Sequence, residues 1–461
     1  MKKLFYLLFF LCPIIVSAQQ DGYKSYPLDY TWLNVGNADF SAGIADYINL
    51  AFSTNGQPYV AYMDWGNSYK ATVMKFDGNN WVNIGNAGFS AGEADYTSLA
   101  FSPSDGQPYI AYKDIVNSHK ATVMKFNGTS WVNVGNAGFS AGEANHTSLA
   151  FNSSGQPYFA YKDCGNSVNA TVMKFDGTNW ANVGNSGFSS NITDNISLAL
   201  SPTGQPYVAF PDSGNSSKAT VMKFDGSNWV NVGNAGFSAG MVYSINLAFN
   251  PSGQVYVSYQ DFGNAMHATV MKFDGINWIN VGSAGFSVNV VSFISLAIDP
   301  SGQPCVAYQD WGNSYKATVM KFDGNNWINV GITGFSAGEA YGTSLAFSPT
   351  GQFYVAFGDG GNLEKATVMY YDAPARISEL QSSLISIYPN PAAGIITIEL
   401  SGARRECNLT IINIDGQQLI TRQISQPKTQ IDISSLPQGV YFIRLTGDKS
   451  VATGKIIKLP G

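Results

Sequence analysis

Charge is what this chain has least of. Only 12% of its residues are Asp, Glu, Lys or Arg, and the formal net charge is −6. No basic stripe exists to neutralise a phosphate backbone, which argues against nucleic acid as a partner. Histidine is nearly missing as well: His119, His146 and His267 are all there is. No His/Asp cluster has metal-ligand spacing, and no Cys–His arrangement is present. Cys12, Cys164, Cys305 and Cys407 stand in unrelated contexts, so no disulfide framework or metal spacing is readable. No cofactor motif is visible, and stability must come from packing. Long apolar runs are confined to the N-terminus. There Lys2 and Lys3, the stretch Leu4–Val16 and the small-residue site Val16-Ser17-Ala18 have the layout of a signal peptide over residues 1–18. A transmembrane anchor is the alternative, but the run is short for one.

Glycine and aromatic residues are abundant instead, with 48 glycines and 13% Phe, Trp and Tyr. They fall in a repeat. The tryptophan of the phrase WxNxG stands at Trp32, Trp81, Trp131, Trp180, Trp229, Trp278 and Trp327, a spacing of 49 or 50 residues. ATVM recurs seven times, from Ala71 to Ala366. The first WxNxG has no ATVM before it, and the last ATVM has no tryptophan after it. The two ends therefore complete one another.

One repeat reads as four short strands. Thr97–Ser102 alternates apolar and small residues; Gln107–Asp114 is a nearly continuous apolar run suited to a strand covered on both faces. Lys120–Phe126 is rich in β-branched residues, and Asn127-Gly128 turns it into Ser130–Val134 as a hairpin. Four strands at this period are expected to form a β-propeller blade. An open β-solenoid would need shorter coils and distinct capping repeats. The fold class is therefore all-β: a seven-bladed β-propeller over residues 19–372, with Thr31–Val35 as the outermost strand of a seventh blade otherwise built from Thr343–Tyr371. Such closure removes a free sheet edge.

Comparing the copies separates fixed from variable positions. An aspartate ends the second strand every time, at Asp64, Asp114, Asp163, Asp212, Asp261, Asp310 and Asp359. Seven equivalent carboxylates are expected to cap loops by accepting backbone N–H bonds. The repeated Trp is expected between blades, where its large apolar area is best buried. Next to the fixed Asp the residue changes: Trp65, Ile115, Cys164, Ser213, Phe262, Trp311 and Gly360. Further along the loop stand Tyr69, His119, Val168, Ser217, Met266, Tyr315 and Glu364. Variation on one face of a fixed frame is how a ring scaffold presents a binding surface. Trp65, Tyr69, Phe262, Trp311 and Tyr315 are the candidate binding residues, set against drift and local loop packing as the plainer reading.

After Asp372 the repeat stops. Residues 373–384 read as a linker, and 385–461 form a different domain with less glycine, more isoleucine and a basic balance. Strands are readable at Ile395–Leu400, Leu409–Ile414, Gln418–Ile424, Thr429–Ile433, Val440–Leu445 and Lys455–Leu459, which implies a small β-sandwich. The stretches ISIYPNPAAG (Ile385–Gly394), LPQGVYFIRL (Leu436–Leu445) and GKIIKLPG (Gly454–Gly461) resemble the C-terminal sorting domain of type IX secretion cargo. The resemblance implies export across the inner membrane, then outer-membrane passage through the secretion machinery as partner, ending at the cell surface or outside. An ordinary accessory sandwich is the alternative.

Enzyme signals are weak. Glycoside hydrolysis needs two carboxylates at a set separation. Asp39, Asp46, Asp194 and Glu364 break the repeat, whereas Glu93, Glu143 and Glu339 recur, and sequence alone does not pair them. The three histidines read as surface-loop residues. One carboxylate per loop is too few for a confident Ca²⁺ cage. The expectation is a monomeric, exported binding protein without catalytic or metal residues, recognising an extracellular glycan or polymer through several weak sites. A protein-interaction or adhesion scaffold is the first alternative, and a polysaccharide hydrolase or lyase working in the central funnel is the second.

Overall fold

A computed structural model describes residues 31–190, 192, 195–372, 385–400, 407–413, 417–447 and 450–460. The signal peptide, the linker and Asp194 lie outside these residues. Two units divide between Asp372 and Ala373.

In the first unit, alternation and tight turns convert each repeat into a four-stranded antiparallel sheet. Blade one runs Ala45–Phe52, Pro58–Asp64, Lys70–Phe76 and Trp81–Asn83, in that spatial order. Its outer hairpin turns on Asp77, whose carboxylate accepts the N–H groups of Asn79 at 2.9 Å and Asn80 at 2.8 Å. Five further blades repeat this order, and the seventh combines Ala340–Phe347, Phe353–Asp359 and Lys365–Asp372 with Thr31–Asn34 from the start of the unit. Thr31 pairs with Asp372 and Asn34 with Met369. The ring is thus seven-bladed and sealed by a strand from the other end of the unit.

Apolar layers between blades form the core. Between blades one and two, the small Ala61 and Ala71 leave room for Ile110, Tyr112 and Trp131 of the next sheet. Each Trp indole N–H reaches back to a backbone carbonyl of the preceding outer-strand end: Trp81 to Val35 and Trp131 to Ile84, both at 2.7 Å, and so on to Trp32, which closes the circle on Val330 at 2.9 Å. Each indole also stacks on a Phe, as Trp131 does on Phe89 with ring centres 4.4 Å apart. Gly85 explains the fixed glycine of WxNxG. It sits at φ +72°, and a Cβ there would lie 3.2 Å from the Trp131 ring.

The innermost strands line the axis and are laced together by small hydroxyl side chains. Ser344 Oγ accepts the Leu50 N–H, and Ser98 Oγ accepts the Leu149 N–H, both at 3.0 Å. Six of these strands begin three residues earlier than the alternation predicts, at Ala94 rather than Thr97 in blade two, while that of blade four is Ser197–Leu200. The reason is a bulge between Asp95 and Ser98, with Tyr96 at φ +52°. A left-handed residue breaks the period-2 pattern by which strands are read.

The second unit is a sandwich. One sheet orders Ile385–Tyr388, Ile395–Leu400 and Lys428–Asp432; the other orders Gln418–Ile424, Cys407–Ile412, Gly439–Gly447 and Ser450–Lys458. Ile396, Ile398, Leu409, Ile411, Ile443 and Ile456 fill the space between them. The strand at Ile385–Tyr388 escapes the sequence reading because the prolines after it resemble a loop. Among the described residues no helix is long and apolar enough to cross a membrane.

Candidate functional site

The loop after each second strand is built on its aspartate. Asp64 is 1% exposed. Its Oδ1 accepts the Gly66 N–H at 3.0 Å, while Oδ2 accepts the Asn67 amide at 2.7 Å and the Thr72 hydroxyl at 2.9 Å. Thr72 Oγ1 in turn accepts the N–H of Gly88, from the connection to the next blade, at 2.9 Å. Asp114, Asp163, Asp212, Asp261 and Asp310 accept the corresponding Asn amide and Thr hydroxyl, and Asp359 the Asn362 amide. In blade six Asn289 replaces a glycine, and its amide donates to Asp310 at 2.9 Å, where other blades use a backbone N–H. The loop then passes through two successive left-handed residues, Ser68 and Tyr69 in blade one, and does so in all seven blades. Held by main-chain and aspartate bonds, this backbone leaves the side chain at the second position free to change.

Those side chains gather on the face where the inner strands begin, since Ala45 pairs with Asp64. Trp65 and Tyr69 are 43% and 41% exposed, and Trp311 and Tyr315 are 41% and 39% exposed. Their rings are tilted, by 60° at 5.1 Å in the first pair and 54° at 5.4 Å in the second. Each pair is therefore a notch with two aromatic walls rather than one flat platform. The indoles are pinned: Trp65 Nε1 donates to Asp46 Oδ2 at 2.8 Å, and Trp311 Nε1 to Ser292 Oγ at 2.9 Å. Phe262 is half-buried against Tyr243, 5.1 Å between ring centres.

A second group of side chains stands closer to the axis, and the sequence reading missed most of it. The bulge places Tyr47, Tyr96, His146, Ser244, Phe293 and Gly342 at equivalent positions of six inner strands, all with positive φ. Tyr47 and Tyr96 lie 4.7 Å apart, and Tyr96 and His146 4.5 Å apart. An aromatic arc thus spans blades one to three at the mouth of the central channel. His146 is accordingly not a loop residue but part of an inner strand, and His267 begins a third strand; only His119 lies in a loop. The available signal was two adjacent variable positions, Asp46-Tyr47 in blade one and Tyr341-Gly342 in blade seven, between an Ala or Val and a constant Leu-Ala.

Charged groups support the arc. Lys113 Nζ is 3.4 Å from Asp95 Oδ2 and 3.1 Å from Glu143 Oε1, and it donates to Asn145 Oδ1 at 3.1 Å. It also lies 5.5 Å from the centre of the Tyr96 ring. Burial pulls the Lys113 ammonium down, but the Glu143 hydrogen bond and the Asp95 charge outweigh it and leave it above the usual lysine range. Burial, with Tyr96 and the charges of Asp95 and Asp46, pushes the Tyr47 hydroxyl well up. Both tyrosines of the arc are therefore neutral hydroxyls at ordinary pH. Asp39 belongs elsewhere: it occupies a position that is Gly88 in the next copy, at φ +55°, and its N–H donates to Thr367 Oγ1 at 3.3 Å. Among the described residues no group of three or more His, Cys, Asp and Glu could hold a metal ion. On the opposite face, clefts of about 260 and 660 Å³ open at equivalent places between blades one and two and between two and three. Their Tyr/Lys walls, Tyr59/Lys75 and Tyr109/Lys125, recur in blades three to five, whereas blade six has Cys305 for the Tyr and blade seven Tyr370 for the Lys.

In the second unit, two of the three landmark stretches meet. Asn390 donates through its amide to the Lys455 carbonyl at 2.7 Å and accepts the Ile457 N–H at 2.9 Å. Ala392 and the last strand exchange backbone bonds at 2.9 Å, Ala392 N–H to Ile457 and Leu459 N–H to Ala392. In the third stretch, Leu436 and Tyr441 enter the core, and the Tyr441 hydroxyl donates to the Pro437 carbonyl at 2.7 Å.

No curated protein matches this chain. Among solved structures, PorZ, a surface component of the type IX secretion system of Porphyromonas gingivalis, is similar at 16% identity and TM-score 0.49. The similarity covers 91% of this chain, which spans 59% of that structure. An Aleuria aurantia lectin in complex with a fucosylated disaccharide gives 15% identity, TM-score 0.45, and coverage of 65% and 98%. A polysaccharide lyase acting on ulvan gives 10%, 0.46, and coverage of 74% and 95%. Residues 386–459 match the secretion system C-terminal sorting domain. This seven-bladed propeller is therefore cargo of type IX secretion, carried by its C-terminal sorting domain to the cell surface or beyond it.

Proposed function

We propose that the propeller is an extracellular binding protein whose ligand is a glycan, held on the face where the inner strands begin. The observation that supports this most is the exposure of pinned aromatic pairs, Trp65/Tyr69 and Trp311/Tyr315, on a backbone that does not vary. Aromatic faces stack on the apolar faces of sugar rings, and a pre-set geometry loses little entropy on binding. Only blades one and six carry the Trp/Tyr pair, so avidity on this face comes from two notches rather than seven. Like sites all round the ring would have to use the clefts of the opposite face.

A glycan array probed with the full chain and with its Trp65→Ala/Trp311→Ala variant tests the reading. Binding that weakens in the variant supports it. A blank array overturns it in favour of a protein-binding scaffold. Turnover of a polysaccharide would favour the hydrolase or lyase reading instead.

A further inference from the structure

The geometry points to a single axial subsite on blades one to three, made by Tyr47, Tyr96 and His146 with Asp46 and Asp95, that takes one neutral sugar residue. It rests on the glycan reading above and narrows it in two respects, charge class and stoichiometry.

The arc is not a consequence of the repeat. At the same bulge position blade five has Ser244, blade seven Gly342, and blade six Phe293, none with a ring contact to another bulge residue like those joining the arc. The backbone there is fixed from behind. The Tyr47 carbonyl accepts the Thr97 hydroxyl at 2.5 Å and the Asn49 amide at 2.8 Å, and the Tyr96 carbonyl accepts the Thr147 hydroxyl. The rings are therefore aimed at the channel mouth whatever their packing, and Tyr47 stays 38% exposed.

Chemistry selects the ligand class. Neutral phenol hydroxyls both donate and accept, and carboxylates accept from paired sugar hydroxyls. Beside the arc stand Asp46, Asp95 and Glu143 against Lys113, which leaves an excess of acid. Uronate or sulfate groups would meet like charge. A ligand cation would find its place by the Tyr96 ring taken, because Lys113 is already there. A neutral polyol ring fits what remains.

The test uses the full chain and titration calorimetry with neutral hexasaccharides of glucose, mannose and galactose, beside hexagalacturonate as the acidic probe. The Tyr47→Ser/Tyr96→Ser variant removes the arc, and Ser244 shows that this backbone accepts serine at that position. Expected are, for a neutral probe, one axial site per chain besides the two notches, binding at that site at least about tenfold weaker in the Ser variant, and weaker binding of hexagalacturonate. Binding untouched by the Ser variant but lost in Trp65→Ala/Trp311→Ala overturns the axial subsite while leaving the glycan reading intact. Preference for hexagalacturonate overturns the charge class. If no probe binds and the array is also blank, both readings fall.

Discussion

From blade to blade the inner strand ends in Phe52, Phe101, Phe151, Leu200, Phe249, Ile298 and Phe347, while near its start stand Tyr47, Tyr96, His146, Ser244, Phe293 and Gly342. Two ends of one strand, on one axis, thus follow different rules. At the far end the side chains themselves join the blades: Phe101 packs edge-on against Tyr59, ring centres 4.9 Å apart, and Tyr109 meets Phe151 in the same way. At the mouth, backbone bonds, constant hydroxyls and buried aspartates join every blade, so the frame does not depend on which residue fills the bulge position. Variation collects where the frame does not depend on it.

Breaking the frame should have the largest effect. Deleting residues 31–34 removes the outer strand of blade seven and with it the Trp32 indole bond to Val330. We expect the free energy of unfolding to fall by more than about 4 kcal/mol, since losing a buried Trp side chain alone costs ~3–5 kcal/mol. An unchanged urea midpoint would mean that the seam is dispensable. The two ends of an inner strand can then be set against each other. Phe101→Ser should cost about 2 kcal/mol and Tyr96→Ser less than about 1 kcal/mol. Equal losses in chemical denaturation would erase the distinction drawn here.

The smallest effect belongs to the outer hairpins. Asp77, Asp176, Asp225, Asp274 and Asp323 are held below the ordinary carboxylate range by backbone N–H bonds, while blade two uses Asn127 in the same turn. A depressed folded pKa means that the stabilisation is complete above the unfolded value, near 4, and is lost as pH falls through the folded one. Asp77→Asn should therefore leave neutral stability nearly unchanged and flatten its decline in acid. A decline as steep as that of the parent chain would refute the assignment.

Blade number and seam were legible because tryptophan spacing and complementary end fragments carry them directly. The tail was legible for a similar reason, as alternating isoleucines and turn residues mark five of its strands to within a few residues. The bulge was not. A left-handed Tyr, His or Phe is disfavoured locally, and no glycine flags the position except Gly342. It exists because the next blade's Thr hydroxyl and a neighbouring Asn amide bind its carbonyl, partners about fifty and two residues away. Such a long-range cause leaves no short-range pattern. The same holds for the Lys113 cluster, whose members Asp95, Glu143 and Asn145 meet only once two blades are side by side.

The sealing strand also sets a timetable. Residues 31–34 leave the ribosome, and enter any export channel, before the rest of the propeller; their partner, Lys365–Asp372, comes last. Until that partner arrives the growing assembly keeps an open edge at each end, where stray pairing is most easily made. The circle cannot close before Lys365–Asp372 has emerged, so a chain truncated ahead of that strand leaves Thr31–Asn34 without its partner.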